Sequence, residues 1–153
     1  IYKARENINS IAHAHPMYGK TFSTLGKTLD PISQDSCAFY ERTALFADYD
    51  GGANGPDEGI NIAKALGDKD FVILQNHGIL TTGTMVDTTI WYFLNMEDAC
   101  KSQLLAEAVG KPIVIPHETA CATRDYVAND LSAYVSFQPT VDVLWEEEPD
   151  LLD

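Results

Sequence analysis

The chain has 153 residues, of which 45% are hydrophobic and 22% charged, and this composition is typical of one folded domain with a hydrophobic core. Its formal net charge of -13 argues against nucleic acid and anionic membranes as partners, because phosphate groups bind basic surfaces. No apolar run is long enough to span a bilayer, and the three cysteines are widely spaced, so a cytoplasmic protein with reduced thiols is expected.

The first third of the chain predicts two strands separated by a short helix and a loop. Residues 8–14 alternate apolar and polar side chains, which predicts a strand. Residues 18–25 predict a short helix, and residues 29–39 predict a loop or a short helical piece. Residues 43–49 predict a second strand, and the turn-forming residues 50–56 separate it from the helix that follows.

A β-hairpin is predicted near the middle of the chain. A helix over residues 59–66 precedes it and ends at a glycine. The apolar residues 71–75 predict a strand, and residues 79–82 predict its partner. Because Asn76-His77-Gly78 joins them tightly, His77 is expected at the tip of a rigid element, which is a good position for a ligand.

The longest predicted helix covers residues 84–109 and ends at Gly110. Thr84 and Asp87 resemble a capping box at its start, and Glu97, beside the apolar stripe, is expected to be hydrogen-bonded or exposed at the edge of the stripe rather than functional. The helical spacing of apolar residues predicts a buried face of Val86, Ile90, Phe93, Met96, Cys100 and Leu104.

The remaining sequence completes one predicted domain over residues 1–140. Residues 118–127 predict a weaker helix, and residues 141–153 predict an acidic C-terminal tail that is solvated or disordered. The chain opens at Ile1 in what resembles the end of a helix, so an upstream part of the domain is expected to be missing.

Three histidines lie at the ends of predicted strands. His13 and His15 are two residues apart, so their imidazoles point to the same face of their strand. His77 from a neighbouring strand would complete a cap of three nitrogen ligands around a metal ion and leave coordination positions open for catalysis. By contrast, His117 precedes a helix and is expected on the surface without a ligand role.

Several short motifs together resemble those of one known family. The matching segments are Ala12-His13-Ala14-His15-Pro16, Gly19-Lys20, Gly26-Lys27, Glu58-Gly59 and Gln75-Asn76-His77-Gly78. Through these segments the chain resembles the class II aldolase/adducin family from Ile1 to the early 120s. The resemblance implies an α/β fold: a three-layer α/β/α sandwich with a central, largely antiparallel sheet, N-terminally incomplete in this chain.

The resemblance also implies a metal centre. Its ligands would be His13, His15 and His77, with Zn²⁺ as the expected ion and Fe²⁺ or Mn²⁺ as alternatives, because residue type alone does not fix the metal. The implied function is a divalent-metal-dependent lyase, with aldolase-type carbon–carbon cleavage through a metal-stabilised enediolate. Its partner would be a small-molecule substrate, either hydroxy-carbonyl or carboxylic.

Alternatives to this function remain open. A decarboxylase or an Fe(II) oxygenase could use the same scaffold, and an adducin-like module would serve protein association without catalysis. The family's general base is a glutamate that would lie upstream of Ile1, and Tyr40 or Tyr126 is another candidate for moving a proton. The resemblance further implies a homo-oligomer, commonly a tetramer, with active sites between subunits.

Overall fold

The structure is a computed structural model that describes residues 1–48 and 56–151. The predicted turn over residues 50–56 lies almost wholly outside these ranges, as does the predicted end of the second strand at Tyr49. Among the described residues, none of the helices combines the length and the apolar character that a bilayer crossing demands.

Within the described ranges, four strands and four of the five helices lie where the sequence predicts them. The strands are β1 (Ser10–Ala14), β2 (Thr43–Phe46), β3 (Phe71–Leu74) and β4 (Gly78–Gly83). The helices are α1 (Met17–Ser23), α2 (Pro56–Leu66), α3 (Val86–Val109), α4 (His117–Val127) and α5 (Asp130–Glu147). A 3-10 helix, Ser36–Phe39, occupies part of the segment predicted as loop or short helix.

The four strands form one mixed sheet in the order β1-β4-β3-β2. β4 runs antiparallel to both of its neighbours, and β2 runs parallel to β3. The β3–β4 pair is the predicted hairpin, in which Leu74 pairs with Gly78 across a three-residue connection. The sheet is therefore largely antiparallel, as the resemblance implies.

Helices cover both faces of the sheet, which explains the uninterrupted apolar sequence of β3. Phe71 and Ile73 belong to a core cluster that includes residues of α1, α3 and α5. Val72 and Leu74 point to the opposite face, where they join a second cluster that includes Leu66 of α2. Successive side chains of a strand alternate between faces, so a strand covered on both sides has to be apolar throughout. The α/β/α layering is confirmed.

The long helix α3 differs from its prediction at its start and along its buried face. The capping box is wrong, because Met85 is the N-cap and the Thr84 hydroxyl donates instead to the Asp130 carboxylate at 2.8 Å. Val86, predicted as buried, is 64% exposed. Met96 and Cys100 are buried as predicted, but they share the buried face with polar residues: Thr88, Thr89 and Gln103.

The C-terminal region also differs from its prediction. Helix α5 begins at the Asn129 cap, whose side chain accepts from the Ser132 amide at 2.9 Å. Its buried Ala133 belongs to the same core cluster as residues of α3. The helix continues to Glu147, so residues 141–147 are helical rather than a tail, although the acidic end is exposed. A run of charged residues predicts exposure to solvent, but it does not prevent those residues from forming a helix.

Candidate metal centre

The strand β1 and the β3–β4 hairpin bring the three predicted histidines together. Ala14, at the end of β1, pairs with Ile79 in β4. His15 follows Ala14, and His77 lies in the connection immediately before β4 begins. His13, two residues before His15, is on the same side of β1. Local strand pairing is therefore sufficient to assemble the cluster from two distant parts of the sequence.

The three imidazole rings form a compact cluster. Ring centroids are 5.1 Å apart for His13 and His15, 5.0 Å for His13 and His77, and 4.5 Å for His15 and His77. One ring nitrogen from each residue lies within 4.8 Å of the other two. Nitrogen ligands of a tetrahedral zinc ion lie about 3.4 Å apart, so small side-chain rotations would bring all three onto one ion. The donor set and its spacing fit a divalent metal.

A hydrogen bond selects the ring nitrogen that His13 can offer to a metal. The Nδ1 atom of His13 lies 2.9 Å from the carbonyl oxygen of Ile79. A carbonyl oxygen only accepts, so Nδ1 carries the proton and donates, and the lone pair is on Nε2. Metal-binding histidines commonly use such a bond to fix the tautomer and the orientation of the ring. His13 is thus oriented before any ion binds.

The surroundings of His77 favour its neutral form. Burial lowers the pKa of His77 below its ordinary value of 6.5, and the neighbouring His13 and His15 lower that pKa further. A buried ring resists protonation because its charged form loses solvation, and nearby rings that can become cationic add repulsion. The lowered pKa thus favours the neutral form of His77, which is the form that binds a metal ion.

The lowered pKa of His77 predicts the pH dependence of metal affinity. Protons compete with metal for the ring nitrogens, and His77 releases its proton below the ordinary pKa of 6.5. Proton competition at His77 is therefore expected to weaken metal binding only in solution more acidic than this ordinary value, where protons also favour the unfolded chain. Calorimetric zinc titrations over about pH 5 to 8 measure this, and a decline that begins above pH 7 would contradict it.

The backbone on the two sides of His77 requires particular residue types, asparagine before it and glycine after it. Asn76 adopts a left-handed conformation with φ of 57°, which asparagine tolerates better than most residues. Gly78 leaves no room for a side chain, because an added Cβ would lie 2.5 Å from the Ala14 carbonyl oxygen and 3.1 Å from Cδ2 of His15. The Asn-His-Gly sequence thus permits the close approach of the hairpin to the end of β1.

A carboxylate of α3 supports the segment that follows His15. Glu97 accepts hydrogen bonds from the backbone amides of Tyr18 at 2.8 Å and Gly19 at 2.5 Å, at the start of α1. These amides have no partner within α1, and the negative charge suits the positive end of the helix. The expectation that Glu97 is hydrogen-bonded is confirmed. Its apolar neighbours in the sequence give no sign of this partner, which is 78 residues away.

Replacing Glu97 with alanine is expected to lower the free energy of unfolding by about 2 kcal/mol, because two amides at the start of α1 lose a charged acceptor. Asp98→Ala is the matched control, since Asp98 is the next carboxylate on α3 and is exposed. It should change stability by no more than about 0.5 kcal/mol. Equal losses in urea denaturation of the two variants would contradict the role assigned to Glu97.

The tyrosines considered for proton transfer are not in contact with the histidine cluster. Within the part of the chain that the structure describes, the hydroxyl and the ring of Tyr40 contact His117, with 3.1 Å between the hydroxyl oxygen and Nδ1. Tyr126 lies on α4 and is 77% exposed. A role for either tyrosine in this site therefore remains a prediction, and the contacts within one subunit do not support it.

His117 is exposed, as expected, but it has neighbours that sequence analysis did not connect with it. Together with Glu41 and Cys121 it forms a second group whose ligand atoms lie within 4.8 Å of one another. The spacing of His117 and Cys121, four residues apart at the start of a predicted helix, is the signal that could have suggested such a pair.

Comparisons with known proteins agree with this architecture. A family model described as Class II Aldolase and Adducin N-terminal domain matches residues 1–104. The Decarboxylase NovR of Streptomyces niveus is 36% identical over 151 residues, which cover 99% of this chain and 56% of that protein. The 4-hydroxy-3-prenylphenylpyruvate oxygenase/4-hydroxy-3-prenylbenzoate synthase of Streptomyces roseochromogenus subsp. oscitans is 36% identical over 99% of this chain and 54% of that protein.

A solved structure extends the agreement to three dimensions. The L-fuculose 1-phosphate aldolase from Glaciozyma antarctica PI12 is 39% identical and superposes with a TM-score of 0.87, covering 98% of this chain and 57% of that one. The chain spans about half the length of the curated relatives it matches. The family model covers the part of the sequence that contains His13, His15 and His77. The chain belongs to the class II aldolase and adducin family.

Proposed function

We propose that the protein is a divalent-metal-dependent lyase that acts on a small hydroxy-carbonyl or carboxylic substrate. The observation that carries the proposal is the convergence of His13, His15 and His77 within reach of one ion. Three neutral imidazoles leave the double positive charge of the ion intact and leave coordination positions for a substrate oxygen. We propose zinc as the ion, and Fe²⁺ or Mn²⁺ suits the same ligands.

A bound ion would supply Lewis-acid polarisation of a carbonyl or hydroxyl oxygen, which is the requirement shared by aldol cleavage and decarboxylation. The residues of the chain determine where that polarisation acts. The Ile79 carbonyl orients His13, and the hairpin connection fixes His77. Because His13 and His15 are exposed, a substrate can reach the cluster from the solvent.

Proton transfer requires a further group, because the three imidazoles are occupied as ligands. We assign the general base to a carboxylate upstream of Ile1. Tyr40 would contribute a proton donor or acceptor to the site of a neighbouring subunit in a homo-oligomer. Within its own chain the Tyr40 hydroxyl contacts His117, so this role would require an approach to the histidine cluster of a different subunit.

A second candidate function is a decarboxylase or an Fe(II) oxygenase on the same scaffold. It is favoured by the 36% identity, over nearly the whole chain, to two proteins with those activities in their names. The adducin-like association module has less support, since it does not require all three histidines to converge.

Product analysis distinguishes these functions. The metal-loaded protein is incubated with hydroxy-carbonyl compounds, with and without a terminal phosphate, and with aromatic 2-oxo and 2-hydroxy acids, under air and under argon. The lyase proposal expects two carbonyl-containing fragments without oxygen consumption, abolished by a chelator and restored by zinc. Release of CO₂ alone supports the decarboxylase, and product formation only under air supports the oxygenase. Absence of turnover together with chelator-insensitive stability would contradict the enzyme proposal.

A further inference from the structure

A second set of metal-binding side chains lies on elements that carry none of the three histidines. His117 and Cys121 are on α4, and Glu41 is in the loop between the 3-10 helix and β2. His117 and Cys121 are four residues apart, so they project from the same face of the helix. The packing of α4 against the 3-10 helix brings this face to Glu41.

The spacing of the donor atoms fits one ion. Sγ of Cys121 lies 3.8 Å from Nδ1 of His117 and 3.8 Å from Oε2 of Glu41, and Nδ1 lies 3.8 Å from Oε1 of Glu41. Cys121 and His117 approach different oxygens of the Glu41 carboxylate, and one ligand atom from each residue lies within 4.8 Å of the other two, so side-chain rotations of about 1 Å would bring all three to the bond lengths of zinc. Small rotations would also allow a fourth, tetrahedral position for water.

The backbone conformation at Glu41 is strained, as is common at binding sites. Glu41 adopts a left-handed conformation with φ of 59°, which is unfavourable for a residue with a side chain. Among the described residues, positive φ outside glycine occurs at Glu41 and at Asn76, which precedes His77. Each of the two clusters of metal-binding side chains thus has one strained non-glycine residue in it or next to it.

The neighbours of the cluster are compatible with an ion. Arg124 is 3.4 Å from Glu41 but makes a shorter bond of 2.8 Å to Asp125, so it keeps a partner when Glu41 binds a cation. Sγ of Cys121 is 3.8 Å from each ring nitrogen of His117. Either nitrogen can therefore serve as the ligand: Nε2 would leave the contact between Nδ1 and the Tyr40 hydroxyl in place, whereas Nδ1 would exchange that contact for the ion.

We propose that Glu41, His117 and Cys121 form a second metal site that binds a thiophilic divalent cation, zinc in the first place, and joins α4 to the loop before β2. A thiolate and a carboxylate together neutralise the double charge of the ion, and the mixed sulfur, nitrogen and oxygen donors suit zinc better than magnesium or calcium. The proposal is independent of the lyase function, because these residues are separate from the three histidines.

Cobalt(II) provides a spectroscopic test that is specific for a sulfur ligand. Metal-free protein is titrated with cobalt, and near-ultraviolet thiolate-to-cobalt charge transfer is recorded. The three-histidine cluster contains no sulfur, and Cys37 and Cys100 are fully buried, so the band is expected to report Cys121. In the H77A variant, in which the three-histidine cluster is impaired, the band should saturate at one cobalt per chain with a dissociation constant below about 100 μM. Absence of the band at saturating cobalt, or a weaker constant, overturns the proposal.

Variants separate this site from the histidine cluster. C121S and H117A are expected to abolish the band, E41Q to weaken binding at least tenfold, and H77A to leave it unchanged. Glu118→Gln is the matched control for Glu41, because it makes the same change at an exposed carboxylate next to His117. A band that persists in C121S overturns the assignment, provided that circular dichroism shows both proteins folded.

A second readout is protection of the thiol. Zinc is expected to slow alkylation of Cys121 by iodoacetamide at least tenfold in the full protein and in H77A, whereas H117A should lose the protection. Equal alkylation rates with and without zinc in the full protein would overturn the proposal even if cobalt binds. The H77A background ensures that protection does not arise from stabilisation through the histidine cluster.

Discussion

Replacing His77 with alanine is expected to abolish metal binding at the three-histidine cluster and to lower the proposed lyase activity by at least about a thousandfold. Two imidazoles remain, but the ion loses the ligand contributed by the β3–β4 hairpin. Metal content after dialysis, measured by elemental analysis in a C121S background so that the second proposed site contributes no ion, and product formation at saturating substrate report the two effects separately.

The control for His77→Ala is Gln75→Ala, which changes a neighbouring side chain in the same hairpin connection. It should retain the metal and most of the activity, because it removes no imidazole. If His77→Ala retains full metal occupancy at the cluster, the assignment of His77 as a ligand is wrong. If the variant loses metal but keeps its activity, the metal is not part of the reaction.

Replacing Gly78 with alanine is expected to disturb both stability and metal binding. The added Cβ would lie 2.5 Å from the carbonyl oxygen of Ala14, which is a backbone atom and cannot turn away as a side chain could. Relief requires β1 and the hairpin to move apart at the point where His15 meets His77. We expect the free energy of unfolding to fall by about 3 kcal/mol and zinc affinity to fall at least tenfold.

Gly59→Ala provides a matched control for this substitution. Gly59 lies within α2, and an added Cβ there meets no atom within 4 Å. Alanine favours a helix over glycine, so this variant should gain about 0.5 to 1 kcal/mol and bind zinc normally. Equal effects of the two substitutions in thermal unfolding would show that the contact with Ala14 is not the cause.

The candidate metal ligands could be predicted from local sequence patterns. The two-residue spacing of His13 and His15 and the Asn-His-Gly connection each depend on a strand and a tight turn, and both elements form as predicted. Their meeting depends on which strands pair. The resemblance to a known family supplied the expected sheet, and the pairing of β1 with β4 brings the segments together.

The polar interior could not be predicted in the same way. Gln103 is fully buried on α3, where its side chain donates to the Asp30 carboxylate at 2.6 Å and accepts from the Asp30 amide at 2.9 Å. Apolar periodicity excludes such a polar residue from the core. The partner that makes its burial possible lies 73 residues away in the sequence, so no local pattern reveals it. The partners of Glu97 and of Cys121 could not be predicted for the same reason, since each contact exists only in the folded chain.

The position of β3 has a consequence for how rigidly one candidate ligand is held. This strand is bonded to neighbours on both edges and covered on both faces, so its amide protons should be among the slowest to exchange with deuterium. His77 follows directly from it, whereas His15 lies beyond the end of an outer strand. An arriving ion would therefore meet His77 and the hydrogen-bonded His13 already in place, and the adaptation to coordination geometry would fall mainly on His15.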